Sequence, residues 1–482
     1  MDYTVRKVSW LCIVVSCAVC GFIFQFLFAV DLACAGSHTP RQENHQLEHN
    51  GCFIILLGKD RTADGSVLVA HNEDGVDKST RLVYIPRKHH SEKEVHLNYV
   101  TIPQVPETLA YWAMGNSKAI AMKPEYDNEW ILNGMNEAGV CVTSAVTYTK
   151  ETPPPAKQGL TRFALRQLIL ERASSARAGV DLVSNLISKY GLALSPGIPD
   201  QVVSFGVADS KEAWLIESSF RHWVAKRVPD DSYSASANAY TIGTDWDIAS
   251  PDLVDYAIQQ EWYDPAQGTF SFKDAYNKPQ QILHPIHSAS RVWQAQVMLD
   301  EPETRQADVS FLWSIISQPP IQSYSTQAFM IWHLRDHLPK ELGTLMWHGL
   351  SNATTSVMVP IYMGSTEAPA PYIDSQEHYD TFSAYWQFRL IGIALYPQRW
   401  IYVDPYKKVR RKLDRYQSGI KLRNQRVEWL APMYYKFGGA ESLKRLLTVY
   451  TYDELQKALN TAVEIIETNK LELSKSQDSS LW

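Results

Sequence analysis

Residues 51–75 read GCFIILLGKDRTADGSVLVAHNEDG and contain two short apolar runs joined by a polar connection. Cys52–Leu57 is a short continuous apolar run, and Ser66–Ala70 is a second run rich in β-branched and apolar residues. Asp64-Gly65 between them has the composition of a turn. Two such runs around a glycine-containing connection predict a β-hairpin. Because neither run alternates with polar residues, both faces of the hairpin are predicted to be covered.

Downstream, sets of strands and helices follow one another without a regular βαβ order, which favours a layered α+β sandwich over a doubly wound sheet. The chain becomes mainly helical from about residue 378. Strands are predicted at 140–148, 202–208, 213–217, 223–227, 328–334, 343–348 and 355–361, and helices at 160–173, 176–189, 289–299, 309–317 and 452–469.

The N-terminus has the pattern of a targeting segment. Arg6 and Lys7 precede an apolar run at 11–30, and the small residues at 33–35 resemble a signal-peptidase site. The run is also long enough to span a bilayer, so residues 1–35 are a signal peptide or an uncleaved signal anchor. Both interpretations predict a secreted or extracytoplasmic or lumenal protein. The anchor would add a membrane association through residues 11–30.

Residues 36–51 are polar and are predicted to be a propeptide or linker, which leaves 52–482 as the catalytic domain. The polar segment contains His38, His45 and His49, which could bind a metal ion. Solvated linker polarity explains them better, because nothing in the segment fixes the geometry of the ligands.

Composition excludes several classes of protein. With 482 residues, 45% hydrophobic and 20% charged, the chain can bury a large core and is not disordered or fibrous. A net charge of −6 with scattered Lys and Arg argues against nucleic-acid binding. Four of the six cysteines lie in the first 35 residues, which rules out a disulfide-rich scaffold.

The sequence contains no GxGxxG, P-loop, GxSxG or HExxH motif. His333 and His337 have helical spacing, but they lie where a strand is predicted to run into a loop. His284 and His287 flank Pro285 in a predicted loop. Neither pair predicts a metal site, and no metal or organic cofactor is expected.

Cys52 stands where the polar segment meets the first predicted strand. It could simply be a small buried apolar residue. Alternatively, cleavage of the Gly51–Cys52 bond would make Cys52 the N-terminal residue, with its own α-amine as the base for its thiol. Free α-amines titrate near ~8 and thiols near ~8.5, so proton transfer between the two groups costs little near neutral pH.

The stretch from residue 51 to 75 resembles the opening of the dipeptidase A and secernin family of N-terminal-nucleophile hydrolases. The resemblance covers most of the chain after residue 51. It continues through LNGMNEAGVCVTS (132–144), QGLTRFALRQLILERASSA (158–176), RVPDDSYSASANAYTIG (227–243), SASRVWQAQ (288–296) and LPKELGTLMWHGLSNATTSVMVPIY (338–362).

This resemblance implies a four-layer αββα sandwich with Cys52 as the nucleophile at the head of a central strand. It further implies that Asp74 holds the α-amine, that Asn238 lies near the oxyanion or the substrate, and that Arg291 favours the thiolate. Each has a structural alternative: Asp74 could cap the turn at Gly75, Asn238 could bond a loop, and Arg291 could lie on a surface helix.

The resemblance also implies that His71 and Asn72 contribute to substrate binding. Two positions depart from the family pattern. Phe53 stands where threonine is frequent, and His71 stands where Arg or Lys is frequent. A histidine carries less charge than Arg or Lys at neutral pH, which leaves open whether residue 71 acts as a cation.

The expected function is that of an exported cysteine peptidase or amidohydrolase that cleaves dipeptides or small amides. One alternative is an N-acyl amide acylase of the same superfamily. Another is a catalytically silent, membrane-tethered binding protein that keeps the fold. The expected partner is a small peptide or amide, and the sequence predicts no oligomeric state.

Overall fold

The computed structural model describes residues 51–75, 79–117, 131–194, 201–278, 284–301, 306–395 and 404–471. The targeting segment and residues 36–50 of the propeptide lie outside the described residues. The strands are β1 (Phe53–Leu57), β2 (Val67–Asp74), β3 (Thr80–Ile85), β4 (Lys88–His89), β5 (Glu94–Leu97), β6 (Val100–Pro103), β7 (Glu107–Thr108), β8 (Tyr111–Asn116), β9 (Ile131–Asn136), β10 (Cys141–Tyr148), β11 (Gln201–Ala208), β12 (Ala213–Ser218), β13 (Trp223–Val228), β14 (Tyr233–Ser236), β15 (Ile248–Ala249), β16 (Thr326–Leu334), β17 (Thr344–Leu350) and β18 (Val359–Tyr362).

The helices surround two sheets. They are α1 (Arg162–Arg172), α2 (Ala176–Tyr190), α3 (Leu253–Gln259), α4 (Phe272–Tyr276), α5 (His284–Asp300), α6 (Val309–Ile316), α7 (Lys340–Gly343), α8 (Ala370–Ile373), α9 (Ala384–Leu395) and α10 (Asp404–Asn469), with short 3₁₀ turns at Lys59–Arg61 and Pro265–Gln267. Helix α10 is broken at Gly439, whose φ of 66° is not helical. No helix among the described residues is long and apolar enough to cross a membrane.

The first sheet has six strands in the order β14-β1-β2-β16-β17-β18, and all its neighbours are antiparallel. The predicted hairpin forms β1 and β2, with Phe53 paired with Asn72 and Ile54 with His71. All five residues of β1 are buried, because the strand lies inside the sheet and is covered on both faces. This explains why its sequence shows no alternation.

The second sheet has eight strands in the order β15-β13-β12-β11-β10-β9-β8-β3. Its middle is the predicted meander, which runs from β11 through β12 to β13. Two short pairs, β4 with β7 and β5 with β6, stand outside both sheets. Strand β10 pairs with β11 along its whole length but with β9 only at Cys141 and Val142.

The two sheets pack face to face, since β1 contacts β10 and β12, and β2 contacts β11. Side chains of Ile54 and Leu56 lie against Gly206 in the opposite sheet. Helices α1 and α2 pack on the outer side of the eight-stranded sheet, and α6, α9 and α10 contact the six-stranded sheet. The predicted α+β class and four-layer αββα sandwich are confirmed.

Several local predictions need correction. The strand predicted at 140–148 is β10, and the strands β3–β9 that precede it were not predicted. Most of those strands are short or end in Gly, Asn or Pro, so their runs look like loops. The predicted loop at His284 and His287 is the first turn of α5, where proline at position 285 is tolerated. The strand predicted at 355–361 begins only at Val359.

Gly349 provides a test of how tightly β16 and β17 pack. A Cβ atom at this position would lie 2.1 Å from the ring of Phe329, its partner in the register. Because a buried ring between two strands cannot move freely, Gly349→Ala should lower the free energy of unfolding by about 1–3 kcal/mol. Gly243→Ala is the matched control, because its nearest neighbours are 3.7 Å from the new atom. Chemical denaturation measures the free energy of unfolding of both variants. Equal denaturation midpoints would contradict the close contact between Gly349 and Phe329.

Candidate active site

Phe53 pairs with Asn72 in the antiparallel β1–β2 register. Cys52, which precedes Phe53, therefore lies opposite Glu73. The Sγ atom of Cys52 lies 3.6 Å from Oε1 of Glu73 and 4.0 Å from the backbone oxygen of Asp74. Because side chains alternate along a strand, Cys52 and Glu73 share with Ile54 the face that looks toward the second sheet. The thiol is buried, with 6% of Cys52 exposed.

Glu73 is held through one of its two oxygens. Its Oε2 atom accepts a hydrogen bond from Nδ2 of Asn133 at 2.7 Å and lies 3.1 Å from Nε2 of His71. His71 is fully buried on the same face of β2. The other oxygen, Oε1, is thereby directed at the thiol of Cys52.

Asn133 reaches Glu73 because the second sheet opens at this point. Beyond Cys141 and Val142 the strands β9 and β10 no longer pair. Oδ1 of Asn133 fills the opening, where it accepts hydrogen bonds from Oγ1 of Thr143 at 2.9 Å and from the backbone N of Ser144 at 3.3 Å. One amide therefore satisfies the backbone at the divergence and ties the second sheet to the carboxylate beside the nucleophile.

Arg291 and Asn238 meet at the residue that precedes the nucleophile. Arg291, 1% exposed on α5, donates through Nη1 to the carbonyl oxygen of Gly51 and through Nη2 to Oδ1 of Asn238 at 2.7 Å. Nδ2 of Asn238 donates to the carbonyl of Val146 at 2.7 Å. A Cβ atom on residue 51 would lie 2.2 Å from the Asn238 amide, so only glycine fits there.

Asp74 lies on the opposite face of β2 from Glu73. A β-bulge between Thr326 and Ala328 presents the Thr326 hydroxyl, which donates to Oδ1 of Asp74 at 2.6 Å. Oδ2 of Asp74 is buried without a hydrogen-bond partner. Burial raises the pKa of Asp74 to about 7, against the lowering effects of the Thr326 bond and the charge of Arg291.

In this form of the chain, with residue 51 attached, Cys52 is held as a neutral thiol. Burial is the main cause that raises the pKa of Cys52 well above its ordinary value, and the charges of Glu73 and Asp74 add to it. The opposing charge is that of Arg166, which is buried on α1 and donates to Oγ of Ser144. The expected stabilisation of the thiolate by Arg291 is thus outweighed here by burial and by two carboxylates.

A comparison with known families agrees with this geometry. The family model described as Peptidase family C69 matches residues 51–322 and 314–412. The chain belongs to Peptidase family C69. It is therefore a cysteine hydrolase of the peptidase class, and the match begins one residue before the buried cysteine.

Relatives of this C69 peptidase are distant. It is 29% identical over 367 residues to a probable dipeptidase from Salmonella dublin, covering 65% of this chain and 81% of that one. It is 24% identical over 388 residues to probable dipeptidase B from Lactococcus lactis, covering 70% and 79%. Among solved structures it is similar to a conjugated bile acid hydrolase mutant from Clostridium perfringens (TM-score 0.39, 14% identity, 69% and 98% covered). A penicillin V acylase from Agrobacterium tumefaciens gives a TM-score of 0.37 at 15% identity, with 65% and 86% covered.

The structure brings four of the six predicted site residues around the Gly51–Cys52 bond: Cys52, Asp74, Asn238 and Arg291. The imidazole of His71, predicted to contribute to substrate binding, contacts the carboxylate of Glu73. Asn72 points the other way, and its Nδ2 donates to the carbonyls of Ile316 and Ile321 at 2.8 and 3.2 Å. The structure therefore places Asn72 in the packing of α6, away from the nucleophile.

Three residues of the site were not predicted: Glu73, Asn133 and Arg166. All three lie inside the segments that carry the family resemblance. Glu73 could have been found by continuing the hairpin pairing to Cys52. The other two reach the site across the sheet opening, which a single sequence does not reveal.

One group of side chains has the atom types of a metal site. Ligand atoms of Cys52, His71 and Glu73 all lie within 4.8 Å of one another. Such a set suits a zinc-like ion. An ion bound there would occupy the sulfur of Cys52.

The cavity of about 280 Å³ found in the described structure lies elsewhere, between the β1–β2 turn and helix α10. Its lining includes Asp64, His333, Trp347 and Lys421. His333 bonds Asp64 at 2.7 Å, so this histidine serves the hairpin turn. At Cys52, the preceding residue Gly51 lies against the side chain of Asn238.

The raised pKa of Asp74 predicts a pH-dependent stability in the Cys52→Ala background, where residue 51 stays attached. An unfolded aspartate titrates near ~3.9. Between that value and about 7 the folded chain therefore holds a proton that the unfolded chain has lost. Raising the pH through this window removes stability, and Asp74→Asn avoids the loss. Between pH 5 and pH 8, the free energy of unfolding of Cys52→Ala should therefore fall by on the order of 2 kcal/mol more than that of Cys52→Ala with Asp74→Asn.

Asp64 is the matched control, because its pKa is shifted in the opposite direction. Burial raises the pKa of Asp64, but the bonds from His333 and Ser66 outweigh it and lower the pKa below the ordinary value. Asp64→Asn should therefore lower stability at both pH 5 and pH 8. Thermal unfolding at the two pH values checks both variants, and the same pH response for Asp74→Asn as for its parent would refute the assignment.

Proposed function

We propose that the chain is an exported dipeptidase whose nucleophile is the sulfur of an N-terminal Cys52, exposed by cleavage of the Gly51–Cys52 bond. The observation that carries the proposal is the bond from Arg291 to the carbonyl oxygen of Gly51. A buried guanidinium thus binds the carbonyl of the bond that joins the polar N-terminal segment to the buried cysteine. The family membership supports the same conclusion.

Cleavage of this bond can proceed through the chain's own groups. Sγ of Cys52 attacks the carbonyl carbon of Gly51, and a C–S bond replaces the C–N bond. The thiol proton passes to the nitrogen of Cys52, which leaves as the free α-amine. Arg291 stabilises the negative charge that develops on the Gly51 oxygen. Water then hydrolyses the thioester, which restores the thiol and releases the preceding segment.

Turnover of substrate repeats these steps with a new base. The α-amine of Cys52 takes the thiol proton as the sulfur attacks the substrate carbonyl. The resulting ammonium returns a proton to the leaving amine, and water hydrolyses the acyl-thioester. Asp74 is suited to orient the α-amine, because its Oδ2 is buried and free in the precursor. Arg291, no longer occupied by the Gly51 carbonyl, is positioned for the oxyanion, and Asn238 holds its guanidinium group in place.

The dipeptide specificity rests on the relatives. Those similar over most of the chain are named as probable dipeptidases from Salmonella dublin and Lactococcus lactis. A short substrate also fits a nucleophile that is reached only once the residue in front of it has left. Export is supported by the apolar run at 11–30 with its basic flank. Cleavage before Cys52 would release the catalytic part even from an uncleaved anchor.

Gly51 provides a test of self-cleavage. A side chain at this position would collide with Asn238, displace the Gly51 carbonyl from Arg291 and so remove the oxyanion contact. Loss of one such donor costs about 10²–10³-fold in related chemistry, so Gly51→Ala should slow processing by at least tenfold. Intact-mass measurement over time follows the processing of wild type and variant. The product should start at Cys52 and have 431 of the 482 residues, and it should form more slowly in Gly51→Ala.

The Gly243→Ala variant is the control here too, because its new methyl group meets only ordinary contacts at 3.7 Å. It should mature at the wild-type rate. An active wild-type enzyme that retains residue 51 would refute the processing proposal. Processing of Gly51→Ala at the wild-type rate would refute the role of the Arg291 contact.

The two cysteines of the catalytic domain give a direct comparison of roles. Both are buried, but Cys141 lies within β10 and Cys52 at the head of β1. Cys52→Ala should lower kcat/KM for dipeptides by at least about a thousandfold, because the nucleophile is lost. Cys141→Ala should keep near wild-type kcat/KM. Circular dichroism checks that both fold, and activity in Cys52→Ala with loss in Cys141→Ala would contradict the assignment.

A further inference from the structure

The two oxygens of Glu73 have different surroundings. Oε2 interacts with Nδ2 of Asn133 and Nε2 of His71. Oε1 meets only the thiol of Cys52, at 3.6 Å, among the hydrogen bonds of the described residues. One oxygen therefore fixes the carboxylate, and the other faces the position where a substrate carbonyl must come.

Glu73 carries a negative charge in this position. Burial alone would raise its pKa, but the hydrogen bond and charge of His71 and the charge of Arg166 lower it overall. Glu73 is only 8% exposed, so little water solvates Oε1. A buried anionic oxygen that faces a weak thiol donor favours a ligand with a positive charge and strong N–H donors.

A peptide with a free amino terminus brings such a group to this place. Its α-nitrogen is two bonds, of about 1.5 Å each, from the carbonyl carbon that Sγ of Cys52 attacks. In the acyl-enzyme the α-ammonium therefore lies in the immediate surroundings of the sulfur. Oε1 of Glu73, 3.6 Å from that sulfur, is within reach of a charge-assisted hydrogen bond of about 2.8 Å.

We propose that Oε1 of Glu73 binds the α-ammonium group of the substrate, so that the enzyme selects peptides with a free amino terminus over N-acylated amides. The inference rests on the proposed dipeptidase function and names its specificity determinant. An N-acylated substrate would leave the carboxylate buried against an uncharged acyl group, which is unfavourable. Glu73 and Asp74 thus have separate ligands: Glu73 faces the substrate, and Asp74, on the other face of β2, is left for the α-amine of Cys52.

The test uses mature enzyme made independently of self-cleavage. A recognition site for an exogenous protease is placed immediately before Cys52 in every variant, so that Glu73→Gln matures even if self-cleavage fails. Values of kcat/KM are measured for alanyl-alanine and leucyl-glycine and for their N-acetylated forms. The variants are Glu73→Gln, the charge-retaining Glu73→Asp, and Glu94→Gln, an exposed carboxylate on β5 that serves as the control.

Wild type should prefer the free dipeptides over the acetylated forms by at least about tenfold. Glu73→Gln should lower kcat/KM for the free dipeptides by about 10- to 150-fold, the usual effect of losing a hydrogen bond to a charged group. It should leave the acetylated substrates unchanged or improved. Glu73→Asp should retain part of the preference, and Glu94→Gln all of it.

An unchanged preference in Glu73→Gln would overturn the inference. An equal loss on both substrate types would also overturn it, since Glu73 would then act on Cys52 rather than on the substrate. Wild-type hydrolysis of the acetylated substrates alone would contradict the dipeptidase proposal itself.

A binding measurement keeps the two proposals separate when turnover fails. Matured Cys52→Ala protein should bind alanyl-alanine more tightly than its N-acetylated form by calorimetry. Adding Glu73→Gln should remove that difference, and a difference that persists would refute the role of Glu73. A charge-dependent affinity in a wild-type protein without turnover would contradict the proposed function and leave the ammonium site supported.

Discussion

The buried thiol of Cys52 lies beside the carboxylate of Glu73 and next to the buried Asp74, and the surrounding polar contacts balance the charges of these groups. A buried carboxylate is costly unless it is paired or neutralised. Glu73 is paired, through His71 and the nearby charge of Arg166. Asp74 is instead partly protonated at neutral pH, because burial raises its pKa to about 7. The same burial raises the pKa of the Cys52 thiol, which therefore stays protonated in this form of the chain.

The backbone determines which polar groups contact Glu73 and which contact Asp74. The antiparallel register of β1 and β2 directs Glu73 and Asp74 to opposite faces of one strand. An opening between β9 and β10 admits Asn133 to the first carboxylate, and a bulge in β16 presents Thr326 to the second. Irregularities in both sheets thus allow the side chains of Asn133 and Thr326 to reach the two carboxylates.

Much of this arrangement could be read from the sequence, and the limits have physical causes. The β11–β13 meander and helices α1 and α2 carry strong apolar patterns, so their bounds were predicted within about two residues. The hairpin was also predicted, but its second strand continues four residues beyond the predicted end at Ala70, because these last residues are polar. Strands β4–β7 are two to four residues long and partly exposed, so their sequences show no such pattern. Asp74, Asn238 and Arg291 were placed through the family resemblance, since they lie far apart in the chain. Glu73 was not predicted, because its place beside Cys52 follows only from the exact register of the hairpin.

We propose that Cys52 supplies both the nucleophile and its base, and chemistry specific to an N-terminal cysteine tests this directly. A 2-cyanobenzothiazole reagent condenses only with a thiol and an amine on the same residue. Treated enzyme should carry a single adduct, mapped by mass spectrometry to the peptide that begins at Cys52. Dipeptide hydrolysis should disappear in proportion to labelling. An active enzyme in which residue 52 cannot be labelled and remains joined to Gly51 would show that activity needs no free α-amine on Cys52.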